Sequence, residues 1–162
     1  MTAGSITPEA LVGELEAERG AVFELLERIE ARSMTTPGLI GDWSARDLIA
    51  HLGYWAGHAT EVIHEVEQGR TEEIGVGAPS VDEVNATVMR VARQTDLDTV
   101  RRREKASVEA LVGRLRDMDP AALAVTLPDG ATLAQGIRED AAEHYREHAD
   151  ELRRALGQAP SD

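Results

Sequence analysis

The chain has 162 residues, 42% hydrophobic and 29% charged, and its 30 Asp and Glu against 17 Lys and Arg leave a formal charge of −13. That length predicts a single domain with its own core, and the acidic field, with no basic stripe to offset it, excludes nucleic acid and anionic lipid as expected partners. No apolar run approaches the roughly 20 residues of a membrane span, Met1 to Glu9 lacks the basic start and apolar stretch of a secretory signal, and there is no cysteine for disulfides, thiolate sites or nucleophilic catalysis, so a soluble, cytoplasmic protein is expected.

Gly and Pro punctuate four long segments rich in helix formers. The first opens at Thr7-Pro8, a capping residue followed by proline at the first helical position. Leu11, Leu15, Val22, Leu25, Leu26 and Ile29 recur at helical spacing until Thr36-Pro37-Gly38. The second opens at Ser44 with Asp47 three residues on, a capping box. Its stripe runs Leu48, Leu52, Trp55, Ala59, Val62, Val66, and Gly69 is placed to cap its C-terminus. A Gly-rich loop from Arg70 to Pro79 follows; it is long for a bundle connection, which suggests a path over the bundle's end.

Ser80 with Glu83 starts a third segment, interrupted near Thr95-Asp96-Leu97-Asp98 and resuming through Val108, Leu111, Val112, Leu115 and Met118 to Asp119-Pro120. Val125 to Leu127 is a short extended piece with no evident partner strand, before the turn Pro128-Asp129-Gly130. The last helix starts at Thr132, with Gln135 completing another capping box, and runs to about Leu156 before Gly157; residues 158–162 are expected to fray. Four amphipathic helices without an internal repeat or boundary predict an all-α four-helix bundle over residues 1–157. With five aromatic residues in the chain, aliphatic packing supplies most of its core.

The histidines at 51, 58, 64, 144 and 148 carry the chemistry. In the last segment the apolar stripe reads Leu133, Ile137, Ala141, His144, His148, Leu152, Ala155, which puts two imidazoles at core positions. A buried imidazole without partners costs on the order of 1–3 kcal/mol, and two rings four residues apart on one helix face can reach one ion. His51 lies on the flank of the second helix's stripe and can point inward between helices. Asp47 precedes His51 by one turn and Asp140 precedes His144 by one turn, so each is a candidate to accept the second ring N–H and fix ligand orientation, although Asp47 also closes a capping box. His58, one heptad after His51, is a substitute ligand or a pocket residue, with Tyr54 and Trp55 beside it and Tyr145 as a weaker pocket candidate. His64, among glutamates, reads as a surface group, and Arg101-Arg102-Arg103 as a solvated helix face. One Glu-x-x-His, Glu61 to His64, falls short of the pair a carboxylate di-iron bundle needs. The plainest alternative is a bundle whose histidines are satisfied by hydrogen bonds.

Trp43-Ser44-Ala45-Arg46-Asp47-Leu48-Ile49-Ala50-His51-Leu52 is similar to the W-S-x-x-D-x-x-x-H-L signature of the DinB-like superfamily, which includes the N-terminal domain of mycothiol-dependent maleylpyruvate isomerase. His144-Tyr145-Arg146-Glu147-His148 resembles its closing H-x3-H. The resemblance implies a four-helix bundle holding one divalent ion, commonly zinc or nickel, at His51, His144 and His148. Some members are transferases or isomerases that use mycothiol or bacillithiol, and others resemble the colibactin self-protection proteins. The extra C-terminal domain of the maleylpyruvate isomerases has no counterpart in this sequence, which sets their specific isomerase activity aside.

Three imidazoles leave a divalent ion an open position, and a thiol bound there is deprotonated. With no cysteine in the chain, the thiol must be a small-molecule cofactor. The expectation is therefore a metal-dependent transferase that activates a low-molecular-weight thiol for attack on a small electrophile. The alternatives are a non-enzymatic metal or small-molecule binding protein with a protective role, and a metal-dependent hydrolase. Imidazole ligands do not select the metal, since zinc, nickel, copper and iron all accept them. Either a monomer or a homodimer fits the sequence.

Overall fold

A computed structural model describes residues 5–157 of the chain; the fraying expected for 158–162 lies outside them. Side-chain caps set the helix starts. In α1 (Pro8–Leu26), Thr7 Oγ1 accepts from the Ala10 N–H at 3.1 Å and Pro8 occupies the first turn. In α2 (Ala45–Glu67), α3 (Val81–Arg93) and α5 (Leu133–Asp140), Ser44 with Asp47, Ser80 with Glu83 and Thr132 with Gln135 each close a full capping box. In α4 (Leu97–Asp117), Asp96 accepts from the Thr99 N–H at 2.9 Å. Both capping boxes expected from the sequence form, and Ser80 with Glu83, expected as a helix start, makes a third.

Four rods make the bundle: α1, α2, α4, and α5 continued by α6 (Ala142–Ala155). Helix α2 packs chiefly on α4 and α1 chiefly on α6. The α2–α4 contact is close because Gly53 has no side chain: a Cβ there would lie 2.9 Å from Glu104 Cα. The shared core is aliphatic, with Leu15, Leu48, Leu52, Ile63, Leu111, Leu133 and Leu152 fully enclosed. No helix is long and apolar enough to cross a membrane among the described residues.

Four details depart from the expected layout. Helix α1 ends at Leu26, before Ile29, because the Arg28 and Ile29 N–H groups turn to the carbonyls three residues back; a 3-10 turn, Ala31–Met34, then buries Met34. The third segment divides at the Asp96 cap, as expected; the departure is that its first part, α3, lies along α2 outside the bundle with Ala92 as its buried residue. The extended piece does find a partner, as Thr126 bridges Thr132 antiparallel across the 128–130 turn, where Gly130 takes φ +91°.

The fourth departure matters most. The last segment breaks at Ala141, whose φ −122°, ψ −97° is not helical. The break rotates α6 so that Ala142, Tyr145, Ala149 and Leu152 face the core, while His144 and His148 move to its flank. The stripe drawn through the two histidines is thereby corrected by one residue. In the core position stands Tyr145, fully buried, with its hydroxyl donating to Glu104 Oε1 at 2.6 Å. Arg19 clamps the same carboxylate from α1, Nε to Oε1 and Nη2 to Oε2, both at 2.7 Å. That puts an ion-paired network with a fully buried carboxylate inside the bundle, Arg19 reaching in from a partly exposed position.

Candidate metal centre

His51 projects from the first third of α2, and the rotated flank of α6 brings His144 and His148 against it. One ring nitrogen from each lies within 4.8 Å of the others. His51 Nε2 and His144 Nε2 are 2.7 Å apart, and the ring centroids of His51–His148 and His144–His148 are separated by 5.1 and 4.9 Å. The burial order is the reverse of that expected: His51, assigned to a flank, is 7% exposed, while the two α6 histidines are only partly buried.

Burial and the neighbouring imidazoles hold His51 down to about 3, and burial followed by His148 holds His144 down to about 4. Both rings are therefore neutral across the physiological range, the form that binds metal. Each histidine has an outer partner. His148 Nδ1 lies 2.9 Å from Glu151 Oε2, which leaves Nε2 as its free ring nitrogen. The Asp140 backbone carbonyl reaches the His144 ring, and the Asn85 side chain reaches that of His51. Asn85 Oδ1 also accepts from Trp55 Nε1 at 3.0 Å, so α3 is tied to the cluster. Trp43 packs edge-on against His51 at 4.7 Å, and Trp55 lies 6.4 Å from His144.

The two expected carboxylate partners act elsewhere. Asp47 Oδ2 accepts from the Ser44 N–H at 3.0 Å and pairs with Arg93 Nε at 3.5 Å; its capping role wins, and it makes no bond to His51. The Asp140 carboxylate turns away from His144 to His58 Nδ1 at 2.6 Å, because Ala141 breaks the helix between them. His58, raised above its ordinary value by that bond, packs edge-on against Trp55 at 5.1 Å but does not join the three-histidine group. Tyr54 and His58 line a different cavity from the one at His148. His64 is exposed, as expected.

Glu151 and Asn85 were missed. Glu151 has a sequence signal, a carboxylate three residues after His148, whereas Asn85 comes from a distant helix and has none. A cavity of about 580 Å³ opens beside His148, walled by Trp43, Met89, Arg93, Glu151 and the 37–42 loop. The fit to a cation is good in kind: three ring nitrogens converge, each ring is held from behind, and His51 and His144 are neutral and share a short contact. Two nitrogen ligands of one tetrahedral ion stand about 3.3 Å apart at ordinary zinc–nitrogen lengths, so the 2.7 Å pair needs only a small ring movement to accept one.

An all-helical bundle with a three-histidine group on its second and last helices is the class this structure defines. The profile of the mycothiol maleylpyruvate isomerase N-terminal domain matches residues 15–145, and the chain belongs to that family. No curated protein matches the sequence. Among solved structures, an uncharacterised protein from Escherichia coli UTI89 is similar at TM-score 0.76 and 13% identity, with 93% of each chain covered. The colibactin self-resistance protein ClbS, in complex with a double-stranded DNA, is similar at TM-score 0.75 and 18% identity, covering 96% of this chain and 98% of that one. The mycothiol-dependent maleylpyruvate isomerase is similar at TM-score 0.72 and 17% identity, covering 91% of this chain but 61% of that one. These likenesses show the fold. The ClbS complex also removes support for the exclusion of nucleic acid: net charge describes this chain's field and does not limit what the scaffold carries elsewhere.

Proposed function

We propose that the chain binds one divalent ion through His51, His144 and His148 and activates a low-molecular-weight thiol for transfer to a small electrophile. The observation that carries this is the convergence of three histidine ring nitrogens within 4.8 Å in a chain without cysteine. Zinc or nickel suits such a donor set. A divalent ion on three imidazoles keeps a position open and lowers the pKa of a thiol that occupies it.

The chain's own residues supply the rest. Glu151 on His148, the Asp140 carbonyl on His144 and Asn85 on His51 fix ring orientation, which sets ligand geometry and basicity. Trp43 shields one side of the cluster from water. In the adjoining cavity Arg93 is the cation available to an anionic group on the thiol or electrophile, held there by Asp47 and by its bond to the Asp42 carbonyl at 3.1 Å. Membership of a mycothiol-linked family makes mycothiol the first thiol to try.

A stoichiometric protective binder is the second reading. It is favoured by ClbS, a self-resistance protein whose length this chain matches almost fully. Metal analysis of untagged protein, followed by assay of mycothiol, bacillithiol and glutathione against model electrophiles, decides between them. Metal-dependent thiol consumption beyond one equivalent supports the transferase; single-equivalent consumption supports the binder. Metal-dependent product without thiol indicates a hydrolase, and protein that takes up no divalent ion refutes the site.

A further inference from the structure

Helix α3 separates two cavities that share no lining residue. Met89 and Arg93 face the one at His148; Val88, Val91 and Ala92 face another of about 440 Å³ between α2, α3 and α4. That volume lies within the roughly 300–1,000 Å³ of small-molecule sites. The space exists because α2 offers Ala50, Gly53 and Gly57 on this side, while α3 settles only Ala92 into the protein. Tyr54 and Val91, at 41% and 46% exposure, stand at this cavity as two large apolar side chains left open to water.

The polar groups of the lining restrict what fits. Glu104 carries no net charge into the space, since Arg19 and Tyr145 engage both of its oxygens. Glu61 and Arg103 contribute one charge of each sign. Tyr54, Thr87, Ser107 and Arg103 also line the space, and His58 is the ring among the polar groups that a bond to Asp140 fixes in place. Its Nδ1 is committed to Asp140, and its Nε2 has no hydrogen-bond partner among the described residues. The Asp140 bond, helped by Glu61, favours the imidazolium, in which Nε2–H is a donor. An apolar wall, a rim of balanced charge and a donor fixed in place by Asp140 favour a neutral molecule with an acceptor at His58.

We infer that the cavity between α2, α3 and α4 is a ligand site separate from the three-histidine cluster, taking a neutral compound with an apolar body and a carbonyl oxygen that accepts from His58 Nε2. Its test uses metal-free full-length protein at pH 6 and three probes of like shape: 2-acetylnaphthalene, 2-ethylnaphthalene and 1-(2-naphthyl)ethylammonium. Binding is followed by calorimetry and by tryptophan fluorescence, with Trp55 beside His58 as reporter.

The ketone is expected to bind one to one and about tenfold more tightly than the hydrocarbon, which loses only the hydrogen bond. His58→Gln should remove that preference, and Val88→Trp or Val91→Trp should fill the space and abolish binding of both, with helicity retained. His148→Ala should leave binding within twofold. A preference for the ammonium, unchanged affinity in both tryptophan variants, or loss of binding in His148→Ala would overturn the inference. So would a stable dimer that excludes the probes and is dissociated by Val91→Glu, because a second copy would then be what covers this face.

Discussion

Helix α6 places a histidine and a tyrosine side by side, and they serve opposite kinds of polar cluster. Tyr145 turns inward to Glu104 and Arg19, where three direct hydrogen bonds match donors to acceptors. His144 turns to His51 and His148, where ring nitrogens meet with few donors among them. A closed network of matched groups has nothing left to offer a ligand, so its role is to hold α1, α4 and α6 together. A convergence of acceptors is incomplete without a cation. Burial alone does not distinguish the two, since Glu104 at 1% and His51 at 7% are both enclosed; the count of donors against acceptors does.

Breaking the closed network should give the largest effect. Glu104→Ala strands a buried phenol and leaves a partly exposed guanidinium without its carboxylate, and is expected to cost about 2–4 kcal/mol in chemical denaturation, while metal per folded molecule stays at the wild-type value. In the open cluster the effects reverse. His148→Ala or His144→Ala should reduce bound metal to about a tenth or less with the helical spectrum intact. Chelation should then lower the melting temperature of the wild type but not of these variants.

Acid sharpens the contrast further. His51 near 3 and His144 near 4 sit below the 6.5 of an unfolded histidine. The unfolded chain therefore binds more protons between those values, and stability of the metal-free protein rises with pH through that window. It should fall by about 2 kcal/mol or more from neutrality to about pH 5, and His51→Gln should flatten the slope. Tyr145→Phe, which removes one hydrogen bond and keeps the packing, is expected to cost about 1–2 kcal/mol.

The smallest effect belongs to His58–Asp140. His58 titrates above its ordinary value because of the Asp140 bond, so the pair contributes below about pH 6.5, where the unfolded ring is also charged, and the contribution fades as pH rises through the folded value. Asp140→Asn should lower the His58 titration seen by NMR and change stability by at most about 1 kcal/mol, since the ring is partly exposed.

The bundle was legible because its boundaries rest on local chemistry. Ser44 with Asp47, Ser80 with Glu83 and Thr132 with Gln135 satisfy backbone donors within four residues, so spacing alone reveals them. The three histidines were legible as candidates for the same reason, their repeat along the helices. What spacing cannot show is a break without a breaker. Alanine is a strong helix former, and nothing about Ala141 announces that the helix stops there. Two stripes ran through the last segment, one by His144 and His148, the other by Tyr145 and Ala149, and the core was assigned to the wrong one. The Arg19–Glu104–Tyr145 network spans 85 residues between its ion-paired members and leaves no local pattern at all.

The interruption at Ala141 also sets how tightly the angular phase of the final rod is constrained. Successive residues on an α-helix differ by about 100° in direction, so a single-residue deletion between Ile137 and Ala142 would put Tyr145 in the heading of His144 and Arg146 in that of Tyr145. A single-residue insertion there would instead turn His144 toward an internal carboxylate already bound to arginine and bring Glu143 among the imidazoles. Because both headings are committed, length changes in that short stretch should be the least tolerated in the last third of the chain, even though no residue there contacts the three-histidine group through its side chain.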